Sequence, residues 1–96
     1  MVYNFNTVLK DLQGNPIIQN DKLVIFKDVI CPILFSAGEG FTPEEKYNAY
    51  KIMIKIEKGE NVELNSEDVT LIKKIIGPQL SAGAYGQLVD LLENNN

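Results

Sequence analysis

The spacing of apolar side chains changes several times along this chain, and each change marks an element. From Tyr3 to Leu9, aromatic or apolar residues alternate imperfectly with polar ones, as Tyr3, Phe5 and Leu9 show, and a period of two suits a strand. Gly14-Asn15 reads as a turn between β-compatible runs. The return run Pro16-Ile17-Ile18-Gln19 opens on a proline, which fits an edge strand or a first strand position. The pattern predicts a short N-terminal β-hairpin from about Tyr3 to Gln19, with a second turn signal after it at Asn20-Asp21-Lys22. A two-stranded hairpin is not stable alone in water, so it must pack on the rest of the chain.

Phe26, Val29, Ile30, Ile33 and Leu34 then recur at i, i+3, i+4, i+7 and i+8, which favours a short buried helix near Phe26 to Phe35 over a strand. Pro32 is the difficulty. An interior proline removes a hydrogen bond and clashes with the preceding turn at a cost of ~3 kcal/mol, so the helix either kinks or begins late enough to hold Pro32 in its first turn. After the loop Ser36-Ala37-Gly38-Glu39-Gly40, Thr42-Pro43-Glu44-Glu45 predicts a helix start, with Thr42 as N-cap, Pro43 at the first position and Glu45 completing a capping box. This helix runs through Tyr47, Tyr50, Met53 and Ile54 to about Lys58, where Gly59 is expected to provide a left-handed stop.

Val62-Glu63-Leu64 reads as a brief extended link. Asn65 or Ser66 caps the next helix, and Leu64 can staple onto Val69 if Asn65 is the cap. Glu67 and Asp68 in its first turn and Lys73 and Lys74 in its last complement the helix dipole, and Gly77-Pro78 ends it. A final helix from about Ser81 to Glu93 turns Ala84, Tyr85, Leu88, Leu91 and Leu92 inward before Asn94-Asn95-Asn96 frays. The predicted architecture is therefore α+β, mainly α: a short N-terminal β-hairpin and then about four helical segments, in one domain spanning residues 1–96.

Composition narrows the function. With 45% apolar and 23% charged residues the chain lies in the ordinary globular range. No apolar run approaches the ~18–20 residues that span a bilayer, and Met1 to Leu12 carries Asn, Thr and Asp where a signal peptide needs an apolar segment, so a cytoplasmic protein without a membrane partner is expected. Cys31 is the only cysteine, which excludes an intramolecular disulfide and a thiolate metal cluster, and its apolar neighbours suggest a buried, unreactive thiol. Histidine and arginine are both absent, which removes the commonest general base and the residue favoured for bidentate phosphate contacts. The formal charge of −4 opposes nucleic-acid binding, which rests on phosphate neutralisation. The expectation is a protein that is not an enzyme, with no catalytic residue, no metal and no cofactor.

The run Leu9-Lys10-Asp11-Leu12-Gln13-Gly14-Asn15-Pro16, the helix start Thr42-Pro43-Glu44-Glu45-Lys46, the stretch Leu64-Asn65-Ser66-Glu67-Asp68-Val69 on to Gly77, and the closing Gly86-Gln87-Leu88-Val89-Asp90-Leu91-Leu92-Glu93 together resemble small accessory proteins of bacteriophages and prophages. The resemblance spans most of the chain. It implies a phage context and carries no catalytic or binding residue across.

Several chemical patterns have simpler readings. The carboxylate pairs Glu44/Glu45 and Glu67/Asp68 fall in first helical turns and are explained by capping and the dipole. Asn61, Glu63, Asn65, Glu67 and Asp68 do not fit the ligand register of a calcium loop. Gly38-Glu39-Gly40 and Gly83-Ala84-Tyr85-Gly86 lack both the preceding strand and the lysine of a phosphate cradle; Ala82, Gly83 and Gly86 instead suggest a close approach by a neighbouring helix. Lys51, Lys55 and Lys58, at i, i+4 and i+7, form either a solvated stripe or a docking surface for an anionic partner.

At ~100° per residue, Tyr47, Ala49, Tyr50, Ile52, Met53, Ile54 and Ile56 cover well over half of their helix, more than the single stripe a surface helix needs. That helix is either central to the domain or covered in part by a second copy, with a symmetric dimer as the default. The candidate binding residues are accordingly Tyr47, Tyr50, Lys51, Met53, Ile54, Lys55 and Lys58. The expected role is a phage-type binding protein that occupies a macromolecular partner, for instance as an anti-defence inhibitor. The alternatives are an oligomer sequestering an anionic ligand such as a nucleotide, or a structural component of a phage particle.

Overall fold

A computed structural model describes residues 1–93 of the chain, so the expected fraying of Asn94, Asn95 and Asn96 lies outside the described residues. The elements are β1 (Val2–Tyr3), β2 (Ile18–Gln19), β3 (Lys22–Leu23), α1 (Phe26–Phe35), α2 (Pro43–Lys58), β4 (Val62–Glu63), α3 (Ser66–Ile76), a 3₁₀ turn (Gly77–Gln79) and α4 (Ala82–Glu93). The fold is α+β, mainly α, with a strand pair near the N-terminus and four helices after it.

The strand pair is not the one the alternation predicts. Asn4 breaks the first run: its side chain accepts from the Asn6 N–H at 2.9 Å and its carbonyl accepts from the Thr7 hydroxyl at 2.7 Å. That turn leaves β1 free to pair antiparallel with the distant β4, Tyr3 opposite Val62. The predicted turn is present, since Gly14 has φ +88° and the Asp11 carboxylate accepts from the Gln13 and Asn15 N–H groups. The arms beside it meet at only one bridge, Lys10 with Pro16. The hairpin proper is β2–β3, closed by Asn20 and Asp21 at φ 52° and 64°. Two successive left-handed residues match the twist of a two-residue hairpin, and Asn and Asp tolerate that region best after glycine. Backbone bonds from Leu9 N to Val24 O, Ile17 N to Leu9 O and Val24 N to Ile17 O then tie the three runs into a ring.

This ring also starts α1. Ile25, at the N-cap, offers no side-chain acceptor, and the first N–H groups of a helix have no partner within it. The carbonyls of Thr7 and Phe5 accept from Phe26 and Lys27 instead, at 3.1 and 2.8 Å. The helix buries Phe26, Ile30, Cys31 and Leu34. It does not begin late, as one reading of Pro32 required: it runs through the proline. Pro32 and Asp28, whose carbonyl loses its partner, are both exposed, so water can satisfy the freed group.

Helix α2 starts as predicted, with Thr42 Oγ1 accepting from Glu45 N at 3.1 Å and Glu45 Oε1 accepting from Thr42 N at 3.0 Å. Its end differs. Gly59 is extended, at φ −145° and ψ 162°, and not left-handed, because the chain leaves α2 directly for β4. Asn65, rather than Ser66, caps α3 through a second reciprocal box with Asp68, and the flanking Leu64 and Val69 are both buried. Helices α2 and α3 run antiparallel: Glu45 Oε2 in the first turn of α2 accepts from Lys74 Nζ near the end of α3 at 2.7 Å. Lys74 and the Thr42 N–H hold the Glu45 carboxyl below its usual range.

Gly77 does not stop α3 by a left-handed turn either. It stays right-handed at φ −50° and leads into the 3₁₀ turn, and a Cβ there would lie 3.2 Å from the Tyr85 ring, so the absent side chain lets α4 close in. Ser81 Oγ accepts from Ala84 N at the start of α4. Gln87 docks that helix on the N-terminal ring, with Oε1 accepting from Lys10 N and Nε2 donating to Lys10 O, both at 2.9 Å. One apolar cluster joins all four helices with Tyr3, Phe5, Leu9, Val62 and Leu64.

Two of these contacts can be tested by substitution. Thr42→Ala lowers unfolding free energy by about 0.5–2 kcal/mol, because a helix-start donor loses its acceptor; an unmoved midpoint in chemical denaturation would show that this cap does not hold α2. Gln87→Ala hands two exposed backbone groups of Lys10 over to water and costs about 0.5–1.5 kcal/mol, and hydrogen exchange at the Lys10 amide should accelerate. Unchanged protection there would refute the clasp.

Candidate functional site

The candidate residues divide between the two sides of α2. Ala49, Ile52, Met53 and Ile56 face the core at i, i+3, i+4 and i+7. Met53, at 8% exposure, is thereby corrected from a surface candidate to a core residue. Its position on the same stripe as Ile52 and Ile56 turns it toward the neighbouring helices. Tyr47 and Tyr50 remain in solvent at 61% and 49%, and Ile54 beside them is half-buried. The helix therefore has an inward apolar stripe and a second, aromatic face pointing away from the core.

That outward face is internally ordered. The Tyr47 and Tyr50 rings lie 6.5 Å apart with planes inclined at 19°, within the range of favourable offset stacking. The Lys51 ammonium sits 4.9 Å from the Tyr47 ring centre, a cation–π distance. Stacking at i, i+3 and the cation at i+4 reflect helical spacing.

Lys51, Lys55 and Lys58 occupy one flank of this face and border two open troughs. Lys55 and Lys58 line a trough of about 690 Å³ with Gly59, Asn61, Glu63 and Asn65, and Lys51 and Lys55 line a smaller one of about 300 Å³ with Asn48, Asn65, Glu67 and Asp68. The far wall carries the start of α3. Asp68 is committed there to the Asn65 capping box, so the carboxylates that share a trough with the lysines are Glu67 in the smaller one and Glu63 in the larger. Among the described residues the ion pairs are Lys73 with Glu93 and Lys74 with Glu45, so Lys51, Lys55 and Lys58 take part in neither.

Other sequence candidates separate from this surface. Cys31 is 4% exposed, and its thiol is pushed up to about 12, first by burial and then by the nearby Glu57 carboxylate, which favours the protonated form. Gly83 and Gly86 have open space where side chains would project; among the described residues no neighbouring helix approaches them, because α4 buries Leu88 and Leu92 on its other side. Other exposed apolar side chains lie outside the predicted site: Met1 and Val2 at the start of the chain, Leu12 at the first turn, the cross-strand pair Ile18 and Leu23, and Phe35 at the end of α1. The placement of Ile18 opposite Leu23 was readable from the Asn20-Asp21 turn between them. Among the described residues no three of His, Cys, Asp and Glu come together as a metal-binding group, and no helix is long and apolar enough to cross a membrane.

Comparison with protein-family models, with curated proteins and with solved structures found no match.

The Cys31 environment makes two measurable statements. A thiol reagent should label the native protein slowly and the denatured protein at once; rapid stoichiometric labelling without denaturant would contradict the buried site. Because the folded thiol titrates above the unfolded one, its contribution to stability is complete below pH 9 and declines as pH rises from 9.0 toward about 12. The stability gap between the wild type and Cys31→Ala should therefore narrow over that interval, and a constant gap would refute the shift.

Proposed function

We propose that the chain is a small non-enzymatic binding protein of phage type, active in the host cytoplasm, that works by occupying a protein partner through the outward face of α2. The anti-defence or host-enzyme inhibitors of phages are the setting that fits such a role. One observation carries the reading: Tyr47 and Tyr50 form an ordered, solvent-facing aromatic pair on the longest helix, although a chain of this size has little apolar surface to leave outside its core. Tyrosine supplies large contact area at low entropic cost and is enriched at interface cores. A second reading, pairing of two copies through the same face as a symmetric dimer, is supported by the same exposure.

Affinity capture from infected host cells tests the first reading. Wild-type protein should retain a partner that the Tyr47→Ala/Tyr50→Ala variant loses, with an unchanged melting midpoint for the variant. Retention of the same partner by the variant would overturn the assignment of this face. Sedimentation separates the second reading, because a mass fixed at 10.7 kDa across micromolar concentrations excludes the dimer.

A further inference from the structure

We infer that the partner of the α2 face is an acidic, amphipathic protein segment, which docks its apolar side on Tyr47, Tyr50 and Ile54 and its carboxylates along Lys51, Lys55 and Lys58. The inference rests on the reading of α2 as a binding surface and adds the chemistry of what it binds. Charge complementarity carries it. The chain as a whole is acidic, with 13 Asp and Glu against 9 lysines, yet one flank of the aromatic face presents three lysines in succession over the last two turns of α2. With a rise of about 1.5 Å per residue, Lys51, Lys55 and Lys58 stand roughly 6 and 4.5 Å apart along the axis, a spacing that successive turns of an acidic helix can match. Of the acidic residues of α2, Glu45 is bound to Lys74, Glu57 lies near Cys31 of α1, and Glu44 stands in the first turn, two turns before Lys51 on the same stripe.

The competing occupants fit less well. A nucleic acid would need open aromatic faces for its bases, whereas the Tyr47 ring already has Tyr50 and Lys51 as neighbours. A second copy related by a two-fold axis near the middle of α2 would bring Lys51 close to its own symmetry mate, an unfavourable like-charge contact. An acidic segment meets neither obstacle. Glu67 shares the smaller trough with Lys51 and Lys55, and Glu63 the larger one with Lys55 and Lys58, so both oppose an incoming carboxylate, and Glu67 sets a further test.

The probe is a fluorescent synthetic helical peptide with leucine and tryptophan on one face and glutamate on the other. Comparators are the same peptide with glutamine for glutamate, a polyglutamate without apolar residues, and a single-stranded oligonucleotide of equal charge. The acidic amphipathic peptide should bind, and its affinity should fall about tenfold or more between low and high salt. The Lys51→Glu/Lys55→Glu/Lys58→Glu variant should lose at least about tenfold, Tyr47→Ala/Tyr50→Ala a comparable amount, and Glu67→Gln should bind more tightly. Circular dichroism confirms that each variant is folded, and a Lys→Gln triple serves if charge reversal unfolds the chain. Equal binding of the uncharged peptide, tighter binding of the oligonucleotide, insensitivity to lysine replacement, or a concentration-dependent mass abolished by the tyrosine variant would each overturn the inference. Absence of peptide binding while cellular capture still depends on Tyr47 and Tyr50 would overturn the acidic partner and leave the binding surface standing.

Discussion

Burial of one side of α2 is the contact on which the rest of the molecule is built. Ala49, Ile52, Met53 and Ile56 give this helix a continuous inward stripe, and both α1 and α3 pack against it while touching each other. Apolar burial contributes roughly 25 cal/mol per Å², and with a lone cysteine that can form no internal crosslink the chain depends on the core that this three-helix contact shares with Tyr3, Phe5, Leu9, Leu64 and Leu88. Ala49 lies fully buried in that stripe.

The short strands serve the helices more than they form sheets. None exceeds two residues, and their backbone groups take on tasks that side chains perform elsewhere. Thr7 and Phe5 carbonyls replace the missing N-cap of α1, β1 pairs with β4 to fix the chain between α2 and α3, and Lys10 offers both its N–H and its carbonyl to Gln87 of α4. Each tie joins segments far apart in sequence, so each adds closure that the helices alone could not provide. The β1–β4 pair also explains why α2 can end on an extended glycine: the residues after Gly59 are claimed at once by β4.

The same arrangement sets the character of the outward face of α2. Its two ends are held by the Thr42–Glu45 box with Lys74 and by the turn into β4, so Tyr47, Tyr50 and Lys51 are presented on a rigid element. The antiparallel course of α3 places Asn65, Glu67 and Asp68 beside the lysine flank, converting a stripe of charge into one wall of a trough. A surface that is aromatic on its ridge and cationic on one side is suited to recognition by contact and charge together.

Local events were legible in the order of residues. Thr42 with Glu45, Asn65 beside Asp68, the helical periods of α1 to α4 and the buried setting of Cys31 could all be read there, because caps and amphipathic periods depend on residues three or four positions apart. The partner of β1, the docking of Gln87 on Lys10, the extended state of Gly59 and the role of Gly77 beneath Tyr85 were settled only by packing, since they depend on which distant segments meet, up to 77 positions apart, and at least one side of most of these ties is a backbone group that every sequence possesses. For the candidate site the division is similar. Composition and spacing placed an excess of apolar residues and a row of lysines on α2, but which of them met water depended on where α1 and α3 came to rest, and that packing drew Met53 into the core and left Tyr47 and Tyr50 outside it.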